Sequence, residues 1–270
     1  PLAWQLFQAI DPERTAVVLV GGNPTLFVLH RVPNDKPHSI HAWQLTADGF
    51  GKHHVVLTDI ATQTARHFAM AARSPTEAWL ALAWAPYAAP EGPFPDDYGV
   101  VCDTDPGYSG CTAPLTLYTV KADSAIPVGK LQLPVWTDSA VWEDSAFVLL
   151  PLDQDHVAVV SQGLHLFIWS TQAGFSTATE LYPGASKKDE VTPIAVAGDL
   201  QSGYVILSTW SSNGVGAGVM ASGVSASQGL AWNTKIPVHG GGQSFHRSIA
   251  HSVRADGHAM VYSDMVLLEL

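Results

Sequence analysis

The stretch TAVVLVGGNPTLFVLH, residues 15–30, contains two apolar runs separated by a short segment of glycine, asparagine, proline and threonine. Aliphatic and β-branched runs of this length favour strands, and the residues between them accept the backbone angles of a tight turn. The stretch therefore predicts a β-hairpin. The same pattern recurs at HFAMAARSPTEAWLALAW (67–84), AFVLLPLDQDHVAVVS (146–161), PIAVAGDLQSGYVILS (193–208) and SIAHSVRADGHAMVYS (248–263).

A second predicted hairpin follows each of the first four. These second hairpins are IHAWQLTADGFGKHHVVL (40–57), PLTLYTVKADSAIPVGKLQL (114–133), LHLFIWSTQAGFSTATEL (164–181) and GVMASGVSASQGLAWNTKI (218–236). Turn sequences rich in Ala, Asp, Ser and Gly stand at matching places in all four. A repeating unit of four short strands is typical of the blades of a β-propeller.

The repeat pattern over the whole chain resembles that of β-propeller proteins in general. No particular propeller family is indicated, because the chain lacks a Gly-His and Trp-Asp pair in each repeat and lacks a Ser-x-Asp-x-Gly-x-x-Trp box. The resemblance implies an all-β fold, a five-bladed β-propeller of four-stranded antiparallel blades that forms a single domain over residues 1–270. A β-sandwich and an irregular β-solenoid have the same strand content and remain alternatives.

The fifth repeat is one strand short, since only MVLLEL (265–270) follows its hairpin. The segment PLAWQLF (1–7) is similar to GLAWNTKI (229–236), which is the outer strand of the fourth repeat. We therefore expect the N-terminal strand to complete the last blade and close the ring, which removes an open sheet edge.

Composition excludes several classes of partner. Hydrophobic residues make up 47% of the chain and charged residues 14%, so a large core is available. The formal net charge is −11, which disfavours nucleic acid and anionic membranes as partners. No run of about 18 apolar residues is present, so no membrane span is expected.

Cys102 and Cys111 are the two cysteines of the chain and lie in an insertion at residues 85–113. We expect them to form a disulfide in a secreted or periplasmic protein; two free thiols in a cytosolic loop are the alternative. Between them, Asp103 and Asp105 resemble the start of a calcium-binding loop, so calcium is the expected cofactor. The Gly and the distal Glu of an EF-hand are missing, and a disulfide-pinned surface flap explains the insertion equally well.

The loops that enter the first strand of each blade gather on one face of a propeller, around the channel mouth. Four of these loops carry a carboxylate near the strand start, and the fifth carries a histidine. A ring of carboxylates raises the pKa of its members unless a cation or polar ligand neutralises them. Solvated turn residues are the alternative reading. The candidate ligand-binding residues are Asp11, Asp59, Arg66, Tyr108, Trp136, Trp142, Asp144, Glu190, His246 and Arg247.

These residues favour a secreted binding module that recognises carbohydrate or protein through its loop face. The alternative is a carboxylate-dependent glycoside hydrolase or lyase at the channel mouth, since glycoside cleavage uses two carboxylates. A structural part of a larger assembly is a third possibility. Nucleophilic catalysis is not indicated, because no Gly-x-Ser-x-Gly elbow occurs. His53 and His54 are adjacent on a predicted strand and are therefore expected to point to opposite faces, where they cannot easily share one metal ion.

Overall fold

A computed structural model describes residues 15–30, 38–60, 67–83, 101–102, 110–136, 147–181, 189–199, 203–212, 216–225, 229–237, 250–253, 259–263 and 266–269. Residue contacts divide the chain into two compact units. The first contains Pro1–Ala85, Glu91–Val100 and Ala113–Leu133, and the second contains Pro86–Pro90, Val101–Thr112 and Pro134–Leu270.

The described residues form an all-β protein of antiparallel sheets. The strands are β1 (Thr15–Val20), β2 (Asn23–His30), β3 (His38–Thr46), β4 (Gly49–Ile60), β5 (His67–Ser74), β6 (Glu77–Ala83), β7 (Val101–Cys102), β8 (Gly110–Val120), β9 (Ala125–Trp136), β10 (Phe147–Pro151), β11 (His156–Ser161), β12 (His165–Ser170), β13 (Gly174–Phe175), β14 (Thr179–Glu180), β15 (Asp189–Asp199), β16 (Gly203–Ser212), β17 (Gly216–Ser225), β18 (Gly229–Pro237), β19 (Ala250–Val253), β20 (Ala259–Ser263) and β21 (Val266–Glu269). A 3-10 turn, Gln162–Leu164, separates β11 from β12. In the part of the chain that the structure describes, no helix is long and apolar enough to cross a membrane.

Each predicted repeat corresponds to one sheet whose strands pair mainly in chain order. The first sheet is β1-β2-β3-β4 and the fourth is β15-β16-β17-β18. The second is built on β5-β6-β8, with β7 and β9 both paired to β8, and the third is built on β10-β11-β12, with β13 and β14 both paired to β12. The fifth sheet contains β19-β20-β21. The predicted N-terminal strand, residues 1–7, lies outside the described residues, so ring closure stays a prediction.

The β1–β2 turn shows how the sequence sets local geometry. Gly21 and Gly22 have φ values of 62° and 77°, the left-handed angles that a two-residue hairpin of the primed type requires. Side chains rarely adopt these angles, which explains the Gly-Gly pair. The Gly22 amide donates to the Pro75 carbonyl at 2.8 Å, so this turn is tied to the β5–β6 turn of the second sheet.

The core of the first unit lies between its two sheets. Alternate residues of the first sheet point inward, among them Val18, Phe27 and Ile40, and pack with Leu80 and Leu82 of β6. Burying an aliphatic or aromatic side chain of this size stabilises a fold by about 1.5–3 kcal/mol. Every residue from Ala78 to Ala83 is buried, so both faces of β6 are covered. The first sheet differs: Val17 and Leu19 on its other face are 59% and 56% exposed.

The core of the second unit joins its third and fourth sheets. Leu150 and Val160 pack in one cluster with Ile206 and Met220. Within the second unit, β10 lies beside β15 and β15 lies beside β19, and within the first unit β1 lies beside β5. Neighbouring sheets of one unit therefore contact each other through the strands that begin the predicted repeats.

Several predicted loop boundaries were wrong because the ladders extend further than the apolar runs. Asp59 lies within β4, whose ladder with β3 continues to the pair His38 and Ile60, and is not in the loop after it. Trp136 is the last residue of β9, and Glu190 lies within β15, opposite Ser211.

Two further expectations are corrected. The insertion 85–113, predicted to be a loop, contains strand residues, because Val101 and Cys102 pair with Thr112 and Cys111 in a short ladder. The outer strand expected before residue 181 is divided into β13 and β14, and between them the Ser176 hydroxyl accepts a hydrogen bond from the Ile168 amide at 3.0 Å.

Candidate functional site

A pocket lies at the end of the first sheet, between the β1–β2 turn, the β8–β9 turn and strand residues of β3 and β4. We call it the turn-end pocket. Its volume is about 180 Å³. Its lining residues are Val20, Gly21, Asn23, Thr25, Ala42, Gln44, Lys52, His54 and Ala122.

The strand register explains why polar side chains converge there. Thr25 lies opposite Gln44, and Ala42 lies opposite His54, so these side chains share the inward face of the first sheet. Lys52 also lines the pocket, in the stretch of β4 where the pairing with β3 is irregular. Towards the other end of the sheet this face is apolar, with Phe27 in β2 fully buried. The pocket is therefore the place where the inward face changes from apolar to polar.

The polar groups of the turn-end pocket fall into two sets. Asn23 donates from Nδ2 to the Gly21 carbonyl at 3.1 Å, and Thr25 donates from Oγ1 to the Asn23 carbonyl at 3.3 Å. These two side chains are used to hold the turn. The side chains of Gln44, Lys52 and His54 make no hydrogen bond or ion pair with another described residue, so their polar atoms are open to a ligand.

Lys52 is the group with a permanent charge among the lining residues, and neither aspartate nor glutamate lines the pocket. A local cation stands out in a chain with a net charge of −11. The lining can therefore donate hydrogen bonds and attract an anion. It holds no pair of carboxylates for the acid and base roles of glycoside cleavage.

A second cluster lies on the opposite, exposed face of the same sheet. His41 contacts the Ser39 hydroxyl through Nε2 at 2.8 Å and contacts Nε2 of His53 through Nδ1 at 2.9 Å. The ring centroids of His41 and His53 are 5.1 Å apart and the ring planes differ by 14°, so the two imidazoles are nearly parallel. Trp43 stacks on His53 at 4.6 Å, and His30 meets His41 edge-on at 5.4 Å.

The surroundings of His41 keep it neutral. Burial, followed by the nearby imidazoles of His53 and His30, lowers the pKa of His41 to about 4. The Ser39–His41 contact has the atoms of a serine–histidine catalytic pair, but the third member is an imidazole where a carboxylate would be needed to stabilise a protonated His41. This histidine is therefore a weak base, and the cluster is poorly suited to nucleophilic catalysis. Among the residues that the structure describes, no group of three or more His, Cys, Asp or Glu is placed to hold a metal ion.

Most of the residues predicted from the entering loops lie outside the described parts of the chain. Asp59, Trp136 and Glu190 are placed only as strand positions. The predicted loop-face site and the calcium site therefore stay predictions. The residues outside the described ranges are Asp11, Arg66, Asp103, Asp105, Tyr108, Trp142, Asp144, His246 and Arg247.

The turn-end pocket and the predicted loop face belong to opposite ends of the first sheet. The entering loops join the end that contains Thr15, the first residue of β1, and Ile60, the last residue of β4. The pocket lies at the other end, beside Val20 and Lys52. This pocket was not predicted from the sequence. Once β3 and β4 are paired, however, the spacing of Ala42 and Gln44 on one strand and of Lys52 and His54 on the other indicates that these four side chains lie together.

The paired positions of Cys102 and Cys111 bear on the expected disulfide. The two residues are direct partners in the antiparallel β7–β8 ladder. Directly opposite residues have Cα atoms about 4.5–5.5 Å apart, inside the range of about 4.4–6.8 Å that a disulfide spans. The register is compatible with the bond, which itself stays a prediction.

The expectation that His53 and His54 point to opposite faces is confirmed. His53 lies opposite Trp43 on the exposed face, and His54 lies opposite Ala42 on the inward face. The two histidines therefore belong to different features, the exposed cluster and the turn-end pocket.

No protein-family model matches the chain, and no curated protein matches it. Function is therefore inferred from the described side chains.

Proposed function

We propose that the protein is a secreted or periplasmic five-bladed β-propeller that acts as a binding module for carbohydrate, with the turn-end pocket as a binding site. The propeller is supported by five successive antiparallel sheets and by the packing of first strands within each unit.

One observation carries the binding proposal: Gln44, Lys52 and His54 converge on one pocket without a partner among the described residues. Sugar hydroxyls both donate and accept hydrogen bonds, so an amide, an ammonium and an imidazole are suitable partners for them. The volume of about 180 Å³ is below the roughly 300–1,000 Å³ of pockets for drug-sized ligands. The pocket therefore suits one sugar ring at the end of a chain.

Binding is preferred to hydrolysis at this pocket because its lining lacks carboxylates. A hydrolase or lyase would need acids from the entering loops, at the other end of the first sheet. Calcium, if bound, would belong to that end or to the insertion.

A glycan array with the intact protein, run with and without calcium, tests the proposal. We expect retention of a defined set of glycans and weaker retention by Gln44→Ala, by about three- to tenfold for one lost hydrogen bond. Gln132→Ala is the matched control, because Gln132 is an exposed glutamine of β9 outside the pocket. Retention of no glycan, or equal retention by both variants, would contradict the proposed site. Calcium-dependent retention that Gln44→Ala leaves unchanged would move the site to the predicted loop face.

A further inference from the structure

The charge of the turn-end pocket narrows the class of ligand. Lys52 and His54 both lie on β4, two residues apart, and contribute to the same pocket. Residues at this spacing have Cα atoms about 6.6–6.8 Å apart, which the long lysine side chain can span. Two nitrogen groups on one strand can therefore meet a single anionic group from adjacent positions.

The opposite side of the pocket is uncharged. Gln44 lies on the neighbouring strand β3, and Thr25 and Asn23 lie on β2. Thr25 is buried and bonded within its own turn, and Asn23 is likewise held by the Gly21 carbonyl. The free amide of Gln44 is thus the group on this side that can bind a hydroxyl of the ligand. The pocket has a cationic end at β4 and a neutral, hydrogen-bonding end at β3.

From this polarity we propose that the turn-end pocket recognises a hexuronate, a sugar ring whose carboxylate is held by Lys52 and His54 and whose hydroxyls are held by Gln44. The inference rests on the proposed carbohydrate binding and specifies its ligand. Lys52 is exposed, and a carboxylate is favoured because it can accept a charge-assisted hydrogen bond from the ammonium that a neutral sugar cannot match. No described carboxylate pairs with that ammonium.

The chain has a net charge of −11, so the positive charge of Lys52 differs in sign from the protein as a whole. The protein as a whole repels anions, but charges more than about 8–10 Å away are largely screened at physiological ionic strength. An anionic ligand is therefore expected to bind where an unpaired cation is within contact distance. Arginine in place of Lys52 keeps that charge, whereas glutamine keeps much of the side-chain length and removes it.

Titration of the intact protein with glucuronate, glucose, glucose 6-phosphate and inorganic phosphate, followed by amide chemical shifts in solution, tests the inference. We expect glucuronate to bind at least tenfold more tightly than glucose. Lys52→Gln should remove this preference and Lys52→Arg should retain it. Lys130→Gln, on an exposed lysine of β9 outside the pocket, should behave as the unmodified protein. Thermal unfolding of each variant verifies that it is folded.

The outcomes separate this inference from the proposed function. Equal binding of glucose and glucuronate would overturn the uronate inference and leave the carbohydrate site in place. Tighter binding of glucose 6-phosphate than of glucuronate would replace the carboxylate by a phosphate and overturn it as well. Binding of inorganic phosphate as tight as that of glucuronate would show an anion site without sugar recognition. Binding of none of these ligands, together with an empty glycan array, would overturn both proposals.

Discussion

Replacing His41 tests the physical reading of the exposed histidine cluster. The pKa of His41 is lowered to about 4 from its ordinary 6.5 by burial and by His53 and His30. A difference of that size corresponds to roughly 3 kcal/mol at most. Because His41 is only half-buried, solvent screening reduces the expected contribution to about 1–2 kcal/mol.

The direction of the pH dependence follows from the protonation of His41 in the folded and the unfolded chain. Between pH 6.5 and 4 the unfolded chain binds a proton at His41 that the folded protein does not bind, so the free energy of unfolding falls as the pH falls through this range. Above pH 6.5 His41 is neutral in both states, and the free energy of unfolding has its full value with respect to this group. Removing the imidazole in His41→Gln also removes its contacts with Ser39 and His53, so this variant should be less stable at pH 7.5 and should approach the unmodified protein at pH 4.

Urea unfolding from pH 7.5 to pH 4 measures the effect. We expect the difference in unfolding free energy between the unmodified protein and His41→Gln to shrink by about 1–2 kcal/mol over the range. His165→Gln is the control, because His165 on β12 bonds the Gln162 carbonyl and no ring contact to another imidazole involves it among the described residues. A difference that stays constant with pH in His41→Gln would refute the assigned cause.

Three further predictions follow from the turns, the cysteines and the chain ends. Gly22→Ala should lower the free energy of unfolding by about 1–2 kcal/mol in urea titration, because alanine resists the left-handed φ of 77° at this turn. Cys102 and Cys111 should resist alkylation in the native protein until a reductant is added, and ready labelling without reductant would exclude the disulfide. Reduction should loosen the insertion and leave the sheets folded, since the bond would close a loop of only about 10 residues. Deleting residues 1–7 should lower the melting temperature and cause aggregation by exposing a strand edge; unchanged stability would count against ring closure.

The strands were predictable from sequence because short runs of β-branched and aliphatic residues bounded by turn residues are a local signal. In β1, Val18 and Val20 are buried while Val17 and Leu19 are exposed. The apolar run alone does not distinguish these two faces, but it does establish the strand. The Gly21–Gly22 turn was likewise predictable, since few residues other than glycine accept its angles.

The candidate site was not predictable in the same way, because it depends on register between strands. His41 and His53 are twelve residues apart, and irregular pairing on both sides of the Trp43–His53 pair decides which side chains meet. The turn-end pocket also needs Ala122 from a different sheet. Gln44, Lys52 and His54 lie within one hairpin, but the apolar pattern does not fix which of their side chains share a face or which turn of another sheet meets them, so it gave the hairpins and missed the site.

The most direct test of the central claim is to locate bound sugar on the molecule. Glucuronate should be added to the isotopically labelled intact protein and the shifted backbone amides assigned. We predict that the largest shifts fall on Gln44, Lys52 and His54, which line the turn-end pocket. Shifts confined to the entering loops, or no shifts at saturating glucuronate, would contradict the account.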